Sequence, residues 1–198
     1  MTMNTYTGLS AATVSDPNLY VTTTNMKVGA YTLAATTPAT AGARRVTVTH
    51  TGVTGTDTLG TIAVVGVGLD GQTLSESIVP LADTVATGTK FFRTITSITG
   101  VGWVINTGND TIIVGVEAGA VVLAGAGSLY AIVVNTTAAG TITVSDSRGT
   151  IATLASSIAV GTYRYECSVS GYLMVSPAAA SNITVIHSPQ LPTDYALS

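Results

Sequence analysis

The chain has 198 residues, enough for one large domain or two small ones, and 46% of them are hydrophobic, enough to build a core. Only 9% are charged and the net charge is −3, whereas an ordinary globular domain is about 25% charged. That balance excludes a disordered polyelectrolyte, which needs low hydrophobicity and high net charge, and it argues against nucleic-acid binding, which needs a clustered basic patch.

Residues 1–25 carry little pattern beyond the turn signal Asp16-Pro17-Asn18 and the run Tyr20–Thr24. They read as an extended N-terminal arm. The opening MTMNTYTGLS lacks the charged region and apolar run of a secretory leader. Short runs of β-branched residues follow, each closed by Gly, Pro, Asn or Asp, and helical periodicity is nearly absent. Arg45–Thr49 alternates with period two, as a half-buried strand does. Leu59–Leu69 is a long apolar strand, Asp70-Gly71 predicts a two-residue hairpin turn with positive φ at both positions, and Gln72–Val79 returns until Pro80 stops it. Strands are then expected over 90–98, 102–105 and 111–116, with a turn at Gly108-Asn109-Asp110. In the second half they are expected over 129–135, 141–145, 151–154, 162–169, 172–175 and 182–186. The most apolar stretch, Ile112–Gly127, is too short to span a bilayer, contains Glu117, and is broken by three glycines, so it reads as strands with turns and not as a membrane segment.

This spacing predicts an all-β protein made of two small, jelly-roll-like β-sandwich domains. The expected divisions are an arm over 1–25, a first domain over 26–118, a Gly/Ala-rich linker over 119–127, a second domain over 128–188 and a tail over 189–198. A weak internal similarity supports two domains. Gly88-Thr89 aligns with Gly161-Thr162, Phe92 with Tyr165, Ser97–Gly100 with Ser168–Gly171 and Val104 with Val175. Either a small sandwich is duplicated, or two Thr/Val/Gly-rich segments align by chance.

Residues that carry chemistry are scarce. Gly66-Val67-Gly68-Leu69-Asp70-Gly71 has the glycine spacing of a dinucleotide fingerprint, but a returning strand follows it where that motif needs a helix. The two histidines, His50 and His187, lie at strand ends beside turn residues and are expected in exposed loops. Arg44-Arg45 is expected on a solvated strand end. Cys167 alternates with Tyr163 and Tyr165 and reads as a core thiol, and it leaves no partner for an intrachain disulfide. Trp103 reads as a core anchor. The aspartates are scattered singly, mostly at turns, where the carboxylate accepts backbone N–H groups. No catalytic, cofactor-binding or metal-binding residue is expected, and no enzyme. Paired acids that meet only in space stay open.

The stretch Thr56–Val104, reading TDTLGTIAVVGVGLDGQTLSESIVP and then TGTKFFRTITSITG, resembles modules of tailed-bacteriophage virion proteins. The part from Ser128 to Ile186, with LYAIVVNTTAAGTITVSDSRGTIAT, is similar to a second such module. The resemblance rests on turn-and-strand patterns. It implies a capsid decoration or cement protein on the outside of the head, bound to the major capsid protein, often trimeric, and located on the virion after synthesis in the host cytoplasm. Direct nucleic-acid or membrane contact is not expected. The alternatives are a tail, fibre or head-spike component that contacts the host surface, and a carbohydrate-binding β-sandwich module.

Overall fold

The structure, a computed structural model, describes residues 4–10, 15–38, 41–52, 57–105 and 110–190. Its strands are β1 (Thr5–Ser10), β2 (Asp16–Asn25), β3 (Gly29–Ala30), β4 (Arg44–Thr51), β5 (Thr61–Val67), β6 (Thr73–Ile78), β7 (Val85–Phe92), β8 (Thr94–Val101) and β9 (Thr111–Val116) in the first part. They continue with β10 (Ala120–Ala124), β11 (Gly127–Val134), β12 (Ile142–Asp146), β13 (Gly149–Leu154), β14 (Gly161–Val169), β15 (Tyr172–Pro177) and β16 (Asn182–Pro189). Among the described residues all regular structure is β, in four four-stranded sheets whose pairs are antiparallel.

The sheets divide between two compact units. One consists of Ser15–Ala39 and Ala43–Ala118, and the other of Met1–Val14, Thr40–Gly42 and Gly119–Ser198. In the first, the strand orders are β2-β9-β4-β7 and β3-β8-β5-β6. In the second they are β1-β16-β11-β14 and β10-β15-β12-β13. Number the eight strands within each unit and the two orders become identical: first, eighth, third, sixth in one sheet, and second, seventh, fourth, fifth in the other. That order is the double Greek key of a jelly roll. The first unit is inserted between the first and second strands of the second, so we call them the inserted unit and the split unit.

Each unit buries one face of each sheet. Every second residue along β5 and β12 is buried, which places Ile62 and Val64, and Ile142 and Val144, on the inner faces. The inserted core also contains Tyr20, Val46, Val48, Phe92, Ile98 and Ile112, and the split core contains Leu9, Ile132, Val134, Leu173, Ile183 and Val185.

Several expectations change in detail. The arm over 1–25 supplies two strands, with β1 pairing with β16 in the split unit and β2 with β9 in the inserted one. The linker over 119–127 contains β10, whose Ala120, Val121, Val122 and Leu123 are buried. The expected strand 90–98 is broken at Arg93, and 102–105 holds only the isolated bridge Val104–Thr58. The turn after β5 is a five-residue loop, because Val67 pairs with Thr73. Gly71 takes positive φ (79°) there, and Asp70 accepts the Gln72 N–H instead of adopting a left-handed conformation itself. Beyond Gln190 the expected tail lies outside the described residues, as do Gly108 and Asn109.

The topology corrects the internal alignment in part. Gly88-Thr89 and Phe92 lie in β7 and their matches Gly161-Thr162 and Tyr165 in the equivalent strand β14, but Ser97–Gly100 lies in β8, whereas Ser168 and Val169 still belong to β14.

Candidate interaction surface

One end of the inserted unit combines buried polar groups with exposed apolar ones. Along β4 the side chains of Arg44, Val46, Val48 and His50 fall on the buried face. The same alternation that buries the valines therefore buries the histidine, which has no exposed surface. Its Nδ1 lies 3.0 Å from the carbonyl oxygen of Leu81 in the β6–β7 turn. A carbonyl only accepts, so Nδ1 carries a proton and donates it. The ring meets Trp103 edge-on, with centroids 5.6 Å apart and planes at 61°. Trp103 reaches this position because Gly60 and Gly100 lack side chains. A Cβ on Gly60 would strike the Val101 carbonyl, and one on Gly100 would strike the Lys27 carbonyl and stand 3.1 Å from the indole Nε1.

Three aspartates complete the end. Asp110, which precedes β9, has 2% of its surface exposed. Burial raises its pKa first, the neighbouring Asp57 carboxyl raises it further by charge and by a side-chain hydrogen bond, His50 opposes this, and Asp83 adds to it. Asp83, held at φ 50°, accepts the Gly52 N–H at 2.8 Å and ties the β6–β7 turn to the end of β4. His50 Nε2, Trp103 Nε1 and Asp110 Oδ1 are all buried without a hydrogen-bond partner. Such groups cost stability and stay polar inside an otherwise apolar end.

Around them is a rim of exposed large apolar side chains: Val79 (62%), Leu81 (50%), Val85 (51%), Val101 (48%) and Val104 (49%), with Leu59 and Ile105 beside them. The register explains the grouping. Thr61 pairs with Val101 and Ile62 with Ile78, so Val79 and Val101 flank β5 at its start, while Val85 pairs with Thr49 just before His50. Apolar side chains concentrated at one end, with acidic groups beneath, suit a partner of apolar surface and neutral or basic charge.

Other residues singled out from the sequence have structural places. His187 is buried, with Nε2 2.9 Å from Thr7 Oγ1 across the β1–β16 pair, and burial lowers its pKa. Both histidines are thus interior residues and not loop residues, since each falls in phase with buried neighbours on its strand. Arg44 is buried as well and donates through Nη2 to the Glu117 carbonyl at 2.7 Å, while Arg45 pairs with the Glu117 carboxylate at 2.6 Å. The pair is a brace between β4 and the end of β9, not a solvated strand end. Trp103 belongs to the core, and Cys167 packs partly buried against the core of the split unit. Asp70, Asp83 and Asp146 each accept backbone N–H groups at turns.

Among the described residues no group of three His, Cys, Asp or Glu side chains is placed to hold a metal ion. The rim escaped sequence reading because its members lie in five separate turns and strand ends. The period-two phase of β4 was the one signal that pointed to His50. Compared with models of known protein families, with characterised proteins and with solved structures, the chain matches none.

Proposed function

We propose that this chain is a virion structural protein that decorates the outer surface of a tailed-phage head as a cement protein, bridging neighbouring subunits of the major capsid protein. The observation that carries the reading is the rim of half-exposed Val79, Leu81, Val85, Val101 and Val104 at one end of the inserted unit. Such a concentration of apolar surface marks a protein contact. The low charge of the chain points the same way, because weakly charged surface favours association over solubility. Jelly rolls serve as viral capsid and lectin domains, though fold alone decides no function. A closed symmetric oligomer, expected to be a homotrimer, would present several such rims to the lattice.

The test is binding of the purified chain to capsid shells that lack it, followed by calorimetry of the shells. The chain is expected to raise the melting temperature of the shell. Leu81→Asp and Val101→Asp are each expected to weaken binding roughly ten- to a hundredfold, the worth of one buried aliphatic side chain. Shells that melt at the same temperature with and without the chain would refute the cement role. Quantitative mass spectrometry of particles separates the second reading: hundreds of copies fit a head lattice, and a few tens or fewer fit a tail, fibre or spike.

A further inference from the structure

The split unit carries a second feature, unrelated to the apolar rim. On the outer face of its sheet β1-β16-β11-β14, the register sets Tyr6, Ile186, Ala131 and Arg164 side by side in one row across all four strands. A groove of ≈ 240 Å³ runs over this row, and Tyr130, Glu166, Asn4 and Thr162 also line it. That volume falls below the several hundred Å³ typical of sites for drug-sized ligands and is on the scale of a single sugar ring.

The groove depends on an irregularity in the sheet. Leu129 pairs with Cys167 and Ala131 with Arg164, so one residue of β11, Tyr130, stands opposite two of β14, Tyr165 and Glu166. Glu166 takes φ 49°, a left-handed conformation that is costly for a residue with a side chain. Bulges of this kind re-aim side chains and recur beside functional sites. Here Arg164 and Glu166 remain exposed together on one wall, 3.9 Å apart, too far for a tight ion pair. Opposite, Tyr6 is 66% exposed, although burying an aromatic ring is ordinarily favourable. Tyr130 is held by its hydroxyl, 3.3 Å from Ser188 Oγ. One further gap lies along the face: a Cβ on Gly8 would meet nothing within 4 Å.

We infer that this groove is a saccharide-binding site for an uncharged hexopyranoside. An exposed aromatic ring and the apolar floor of Ile186 and Ala131 match the C–H face of a pyranose. The guanidinium of Arg164, the carboxylate of Glu166 and the amide of Asn4 match its vicinal hydroxyls, as donor, acceptor and both in turn. The single arginine stands beside a glutamate, so the groove lacks the excess positive charge that a phosphate or nucleic-acid strand requires. An extended peptide would pair with the edge strands β1 or β14 and not lie across the middle of a fully paired sheet. The site does not depend on the cement reading and would stand if the chain were located elsewhere.

The experiment is a glycan array probed with the labelled full-length chain, with a chemical-shift titration by methyl glycosides of glucose, galactose and mannose. The expected result is saturable binding of at least one neutral glycoside that shifts the signals of Tyr6 and Tyr130. Tyr6→Ala and Arg164→Ala should each weaken it about tenfold or more while leaving the melting temperature unchanged, since both side chains are exposed. Tyr6→Phe, which keeps the ring, should retain it. No binding by the array and the titration, or binding that both alanine variants leave intact, would overturn the inference.

Discussion

Asp146 gives the sharpest test of how the split unit is held together. Its carboxylate ends β12 with 3% of its surface exposed. It accepts the Arg148 N–H at 2.8 Å, the Ser170 N–H at 2.9 Å, and Arg148 Nε and Nη2 at 3.0 and 2.7 Å. One side chain therefore joins the β12–β13 turn to the β14–β15 turn. In Asp146→Ala both backbone donors lose their partner, at about 1–3 kcal/mol each if water cannot reach them. The guanidinium is 60% exposed, so water screens its ion pair and the backbone bonds dominate. The two lost backbone bonds, about 2–6 kcal/mol together, correspond to a fall of roughly 10–30 °C in the melting of a unit of about 100 residues. Burial pushes the Asp146 carboxyl up, but the Arg148 side chain and the Ser170 and Arg148 amides together hold it below the usual carboxylate range. Its contribution is therefore present above the unfolded value near 3.9 and is lost as pH falls through the lower folded value. Differential scanning calorimetry should show a constant gap between wild type and variant above about pH 5, closing on further acidification. A variant that melts within about 2 °C of wild type at pH 7, where a 10 °C fall is expected, would refute the reasoning.

Asp110→Asn tests the opposite sign. Burial and then the Asp57 carboxyl raise the Asp110 pKa, so the stability this residue contributes is present below the unfolded value and is lost as pH rises through the folded one. The amide should therefore raise the melting temperature of the inserted unit at pH 7 and flatten its decline above the ordinary carboxylate range, and a lower melting temperature at pH 7 would contradict this. Deleting residues 1–14 removes β1, which pairs with β16 through six residues and buries Leu9. The split unit should lose at least the roughly 1.5–3 kcal/mol of that leucine and expose a new sheet edge, while hydrogen exchange in β4 and β9 of the inserted unit stays unchanged.

How far the chain can be read without its fold depends on how local each signal is. Alternation along β5 and β12, turn residues between strands and the absence of helical periodicity all act within a few residues, and they specify an all-β chain of two sandwiches. The same local signal, followed further, places Arg44 and His50 in phase with Val46 and Val48 and so on the buried face, although residue type alone suggested exposure. Even the internal repeat was legible in outline, because β7 and β14, and β9 and β16, occupy equivalent places in the two jelly rolls. Its register was not legible. Where Thr and Val recur at every second position, a slip by an even number of residues keeps the pattern and changes only the partners.

By itself, the amino-acid sequence determined which segments are extended and which faces are apolar, because those properties depend on neighbours two residues away. Only the tertiary structure decided which strands pair. Thr5 lies opposite His187, so the first strand of the chain completes a unit whose other strands follow the inserted one. The apolar rim and the tyrosine groove were decided at the same level, since Leu81 meets His50, and Tyr6 shares a row with Arg164, only after strands distant in the chain have come together. A strand edge offers the same row of N–H and C=O groups to any partner, so pairing is settled by the packing of the whole core and not by the local composition of the strand.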